Sequence, residues 1–239
     1  MQNYEEIFNK RGRSYHMAME KYPHARDLEF LAITQRLVQK PKSIILDIPA
    51  GGGYLKRYLS PDVSYLAHDF SGEFDDNHTG IKKCKESRIE LQNSSVDEIV
   101  SLAALHHVVS RENFYKELYR ILKKGGQLVI GDVVSKGKQD KFLNKFVDQW
   151  NTMGHDGKFL EMQDLDEIAA VGFSINYEKE KYTWNFSNEG EATDFFRLLF
   201  CMDLNPSEKL LIDAISELGI DQSNGFSVNW ELGFVSCIK

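Results

Sequence analysis

Ser43-Ile44-Ile45-Leu46-Asp47-Ile48-Pro49-Ala50-Gly51-Gly52-Gly53-Tyr54-Leu55 decides the fold of this chain. It reads as a short apolar strand, an acid at the strand's end, a glycine-rich turn and the start of a helix. Glycines let the backbone approach a ligand where a side chain would collide. The free N–H groups of the next helical turn then face that ligand. Nucleotide-like cofactors bind at this place in an open α/β sheet.

Working outward, the apolar spacing predicts two helices over residues 12–39, separated by Pro23 and stopped by Pro41. Strands are expected at 43–48, 63–68, 81–85 and 97–102, with a helix at 52–59 between the first two. The 70–80 crossover is too short for a full helix. A helix at 111–122 leads through the Lys124-Gly125-Gly126 turn into a strand at 127–133 that reads as buried on both faces. Beyond it, helices are expected at 138–150, 163–171, 189–201 and 206–218, and strands at 173–182 and 227–238. Alternating strands and helices imply a doubly wound, largely parallel sheet.

The chain has 239 residues and a net charge of -7, which disfavours a polyanionic partner such as nucleic acid. Its three cysteines, Cys84, Cys201 and Cys237, have neither disulfide-framework nor zinc-cluster spacing, and a reduced, cytoplasmic setting is expected. No secretory leader is read at the N-terminus, and no apolar run reaches the roughly 20 residues of a membrane span. No bound metal is expected.

Four ordered blocks carry a resemblance. They are residues 45–53, then Ala67-His68-Asp69-Phe70-Ser71, then residues 95–108 ending in Leu105-His106-His107-Val108, and finally residues 117–130. In this order the chain resembles class I S-adenosylmethionine-dependent methyltransferases, of the broad group that includes the ubiquinone and menaquinone biosynthesis enzymes. The resemblance implies an α/β, Rossmann-like fold. The sheet is mostly parallel and seven-stranded, with an antiparallel C-terminal strand and a helical lid. It also implies one domain over 1–239. Residues 1–40 form a helical cap, 43–134 the cofactor core, and about 137–171 and 184–220 the lid and substrate insertions.

The implied cofactor is S-adenosylmethionine. Asp47, Pro49, Ala50, Gly51 and Gly53 would hold its methionine end, and Tyr15 would reach the carboxylate. Asp69, ending the second strand, would accept both ribose hydroxyls, with Phe70 packing on the adenine face and Ser71 beside it. Pro49 stands where the family has its first glycine, so the turn is expected to be stiffer. Lys85 falls where an adenine-binding acid is common, which leaves either Glu86 or backbone groups alone for that contact. Ala103 and Ala104 complete the set.

His106 and His107 are the candidate catalytic residues, because a histidine at a strand's carboxyl end can act as a general base. Packing of one or both is the competing reading, and in-line transfer can rely on positioning alone. Phe146, Trp150, Trp184 and Phe200 are the candidate substrate-pocket residues, although aromatic residues at helical spacing usually belong to the core. His155-Asp156 is either a gate or a solvent loop.

The expected partner is a small-molecule methyl acceptor, the chain being a monomer or homodimer. Nucleic-acid amino-methylation is disfavoured, because Ala103-Ala104-Leu105-His106 replaces the Asn/Asp-Pro-Pro-aromatic turn of those enzymes. Two alternatives stay open. One is a catalytically silent binding or regulatory protein on the same fold. The other is an NAD(P)-dependent oxidoreductase, although the later glycine of G-x-G-x-x-G is missing.

Overall fold

The computed structural model describes residues 4–74 and 80–239. Eight strands form one sheet: β1 (Ile44–Asp47), β2 (Ser64–Asp69), β3 (Lys82–Lys83), β4 (Val96–Leu102), β5 (Leu122–Asp132), β6 (Ser174–Phe186), β7 (Ile220–Asp221) and β8 (Phe226–Ile238). Their order is β3-β2-β1-β4-β5-β8-β6, with β7 paired to β8. Strands β1 to β5 pair in parallel, and β8 runs antiparallel to β5, β6 and β7. The expected sheet is therefore present, with the two-residue β7 as an eighth strand. Strand order reverses between β1 and β4, which opens a crevice beyond their carboxyl ends.

The central parallel strands β1, β4 and β5 send apolar residues to both faces because both are covered. Ile45, Val100 and Val129 enter one core cluster, while their neighbours Leu46, Ile99, Leu128 and Ile130 enter the other. Helices α1 (Tyr4–Lys21) and α2 (Asp27–Thr34) precede the sheet, and α3 (Arg111–Ile121) joins β4 to β5. The later helices are α4 (Lys138–Lys141), α5 (Asp148–Trp150), α6 (Met162–Val171), α7 (Glu189–Leu199) and α8 (Glu208–Ser216).

Several boundaries differ from expectation. Helix α1 starts at Tyr4 rather than near residue 12, because Tyr4, Ile7 and Arg11 form a buried helical stripe at i, i+3 and i+7. The 52–59 helix is only a 3₁₀ segment, Tyr54–Tyr58. Pro61 biases the residue before it away from helix. Lys124-Gly125-Gly126 lies within β5 as an irregularity in its pairing with β4. Strand β6 runs on to Phe186 because it pairs with β8 along its whole length. Between α4 and α5 the helix widens to a π-helical stretch, Phe142–Val147. The 70–80 crossover holds a 3₁₀ turn, Gly72–Phe74, and its remainder lies mostly outside the described residues.

Candidate active site

The crevice is a cavity floored by the glycine turn and roofed by α1. Gly51 and Gly53 hold left-handed φ angles of 54° and 72°, the conformation that glycine tolerates best. Pro49 sits outside that requirement, which is why the turn accommodates it. A Cβ on Gly51 would lie in ordinary contact with the Tyr15 ring of α1, 3.5 Å away, so the left-handed φ rather than lack of space is what asks for glycine there. Ala103, just after β4, holds a strained φ of 51° at the opposite lip.

Two carboxylates stand at the strand ends. Asp47 Oδ2 accepts the Tyr65 hydroxyl at 2.7 Å. Asp69 is wholly buried and accepts the Gly51 N–H (2.8 Å), the Ser71 N–H (2.7 Å) and the Tyr4 hydroxyl (3.0 Å). Tyr4 therefore puts a hydroxyl on the carboxylate that the resemblance assigns to the ribose. Burial pushes both acids up to about 7. Binding a cationic, hydroxyl-bearing ligand favours their ionised forms.

On the cofactor-binding roles that the resemblance implies for Asp47 and Asp69, affinity for S-adenosylmethionine is expected to fall as pH drops below about 7. Each acid that must ionise contributes up to about tenfold per pH unit. Calorimetric titration between pH 8 and 5.5 checks this, and a flat profile would sink it. Stability of the free protein moves the other way. Between about 4 and 7 the folded state binds more protons than the unfolded chain, so these acids destabilise it progressively as pH rises through that window.

One wall is a buried polar cluster. Arg26 grips Glu29 with two hydrogen bonds, of 2.6 and 3.1 Å. Glu29 also accepts the indole N–H of Trp184 at 2.7 Å, and Arg26 donates to the Tyr15 hydroxyl at 3.1 Å. Phe200 and Trp230 continue this wall, with Trp230 stacked on Trp184 at 4.0 Å between ring centroids.

The far end holds histidines. His106 Nδ1 lies 2.8 Å from Asp132 Oδ1, and its backbone N–H reaches Oδ2 at 3.1 Å. Asp132 also accepts the Val133 N–H at 2.7 Å. His107 packs against His106 with ring centroids 4.1 Å apart. His155 lies 5.7 Å from His106 and 5.2 Å from His107. Burial, with neighbouring imidazoles and Arg11, holds His107 and His155 well below the usual histidine range.

Of the residues singled out from sequence, Tyr15, Asp47, Pro49, Ala50, Gly51, Ala103, Ala104, His106, His107, Trp184 and Phe200 line this one cavity. Gly53, Asp69, Phe70, Ser71, Glu86, Phe146 and Trp150 are not part of its lining. Asp69 touches it through Tyr4 and Gly51. Phe70 packs edge-on against Tyr4 and Phe114 in the core, and Ser71 Oγ donates to Asn9. Glu86 accepts the Val109 N–H at 3.3 Å. Phe146 borders a separate cavity beside α8, and Trp150 packs on Phe146.

Sequence reasoning missed Tyr4, Arg11, Glu29 and Asp132. The first two are visible in the Tyr4, Ile7, Arg11 stripe, and Asp132 as an acid closing an apolar strand. His155 belongs to the cavity rather than to a solvent loop.

Residues 46–130 match the family model described as a methyltransferase domain. The YcgJ protein of Bacillus subtilis superposes with a TM-score of 0.63 at 17% identity, covering 91% of this chain and 98% of its own. A Thermotoga maritima protein described as an S-adenosylmethionine-dependent methyltransferase, possibly a histamine N-methyltransferase, gives 0.63 at 18%, covering 98% and 99%. Phosphoethanolamine N-methyltransferase 2 of Haemonchus contortus, solved with S-adenosylmethionine, gives 0.61 at 16%, covering all of this chain and 60% of its own. Likeness at these identities fixes the fold. The match over residues 46–130 is to a methyltransferase domain, and the cofactor of that family is S-adenosylmethionine.

Proposed function

We propose that this chain transfers a methyl group from S-adenosylmethionine to a small apolar or aromatic acceptor at oxygen, carbon or nitrogen. One observation carries the reading: Asp47, the glycine turn backed by Asp69, an aromatic wall and His106 backed by Asp132 meet at one crevice. When bound, the cofactor supplies an activated methyl group on a sulfonium, displaced in line. Asp47 and Asp69 would hold its ammonium and ribose ends, and Trp184, Phe200 and Trp230 would orient the acceptor. His106 Nδ1 donates to Asp132, so its Nε2 carries a lone pair that can accept the acceptor's proton. The segments 137–171 and 184–220 would act as lid, and the free thiols of Cys84, Cys201 and Cys237 suit a reduced, cytoplasmic setting.

Saturating S-adenosylhomocysteine is expected to raise the melting temperature, with about 2.7 kcal/mol gained at a hundredfold excess over Kd, and NADH is expected to leave it unchanged. Asp69→Ala should weaken S-adenosylhomocysteine binding by about 1–3 kcal/mol, whereas Tyr4→Phe should tighten it by removing the hydroxyl that competes for the same carboxylate. Stabilisation by NADH alone would overturn the reading.

A further inference from the structure

His106, His107 and His155 come from two distant stretches and meet at one end of the cavity. One ring nitrogen of each lies within 4.8 Å of those of the other two. Atoms so spaced share a point within about 2.8 Å of each (the 4.8 Å edge divided by √3), against about 2.0–2.1 Å for a zinc–imidazole bond. Ring movements of roughly 0.7 Å would close that difference.

The ring protons of His106 and His155 are fixed by hydrogen-bond partners. Asn144 sits in the π-helical stretch, a kind of irregularity that often marks functional sites. Its Nδ2 donates to Gly157 O at 2.8 Å, and its Oδ1 accepts the Gly157 N–H at 2.8 Å. That orientation leaves Oδ1 as an acceptor for His155, 2.9 Å away, so His155 Nδ1 carries the proton and Nε2 the lone pair. Asp132 fixes His106 in the same tautomer. A carboxylate or amide oxygen behind the distal ring nitrogen is the support that metal-ligating histidines have. His107 Nδ1 is buried and has no hydrogen-bond partner among the described residues.

We propose that His106, His107 and His155 form a three-imidazole site for one divalent transition-metal ion of the zinc type, with Asp132 and Asn144 as positioning residues. Magnesium and calcium are disfavoured because they require oxygen ligands. Three protein ligands leave a coordination position open, the pattern of catalytic rather than structural zinc. Resting on the methyl-transfer reading, that position would take the ionised oxygen of a hydroxyl acceptor. The acceptor O–H proton passes to solvent as the oxygen binds the ion. The new C–O bond then forms while the C–S pair leaves on sulfur as a neutral thioether. In the loaded protein the His106 lone pair is occupied, and the ion's effect on acceptor acidity replaces its role as a base.

The test uses the full chain, stripped with chelator and dialysed against Zn²⁺, with Co²⁺ absorption as a second readout. One equivalent per chain and visible bands of four- or five-coordinate Co²⁺ are expected. His155→Ala should weaken Zn²⁺ affinity at least a hundredfold, and Asp132→Asn about 10–100-fold. Zinc stoichiometry near zero, or affinity indifferent to His155→Ala, would overturn the site. The cobalt spectrum of the unaltered protein decides the matter if that variant does not fold. Undiminished methyl transfer after chelation overturns the acceptor-oxygen role. Failure to bind S-adenosylhomocysteine overturns the methyl-transfer reading instead, and the ion stoichiometry stands apart from it.

Discussion

Glu29→Ala is expected to lower stability by about 3–5 kcal/mol, the usual loss when one member of a buried ion pair is removed. Glu29 is fully buried, and Arg26, held in its charged form beside it, is 5% exposed. Their two hydrogen bonds tie α2's own first turn together. The Trp184 indole donates to the same carboxylate from β6, so Glu29 also locks α2 to the sheet edge. Alanine would leave the guanidinium without a counter-charge, with the Tyr15 hydroxyl as its remaining oxygen partner, and the Trp184 indole N–H without its acceptor, beside the Phe30 and Trp184 rings. For a chain of this length the loss corresponds to a melting shift on the order of 10 °C. Glu29→Gln should lose nearly as much, because it preserves shape while leaving the Arg26 charge unmatched. Replacing both partners by Met and Leu should recover a large part. A shift below about 2 °C for Glu29→Ala, read by calorimetry, would mean that water reaches the pair and that the wall is not dry.

The parallel core was legible in the sequence because its signals are local. Apolar runs in β1, β4 and β5 need covering on both faces, and the φ angles of Gly51 and Gly53 are the ones their residue type favours. His106 and His107 were legible as a block following a strand. Their chemical partners were not, because these arrive through pairing and loop geometry. Asp132 meets His106 only because β4 and β5 pair in a register that sets Leu102 beside Gly131. His155 depends on Asn144, whose place in a π-helical stretch no 3.6-residue period announces. The same limit applies to α1. The expected helix begins near residue 12 and leaves Tyr4 outside it, while the hydroxyl of the buried Tyr4 meets a carboxylate 65 positions away.

Asp132→Asn is expected to lower methyl-transfer turnover by about 10²–10⁴-fold, the range supplied by general acid–base groups, while leaving cofactor affinity nearly unchanged. Three N–H donors converge on the Asp132 oxygens: the His106 ring, the His106 backbone and the Val133 backbone. An asparagine has one acceptor oxygen and one donor nitrogen in their place. With the amide nitrogen toward the ring, the imidazole must shift its proton to Nε2 and lose the lone pair facing the acceptor. With the nitrogen on the other side, it opposes the His106 backbone N–H and displaces the turn that carries the ring. Either outcome removes the oriented lone pair, whether that lone pair takes a proton or holds an ion. Asp132 does not line the cavity, so the loss should appear in kcat and not in cofactor Kd. A change in kcat below about threefold would leave alignment in the crevice as the source of acceleration, and the imidazoles would then be wall rather than machinery.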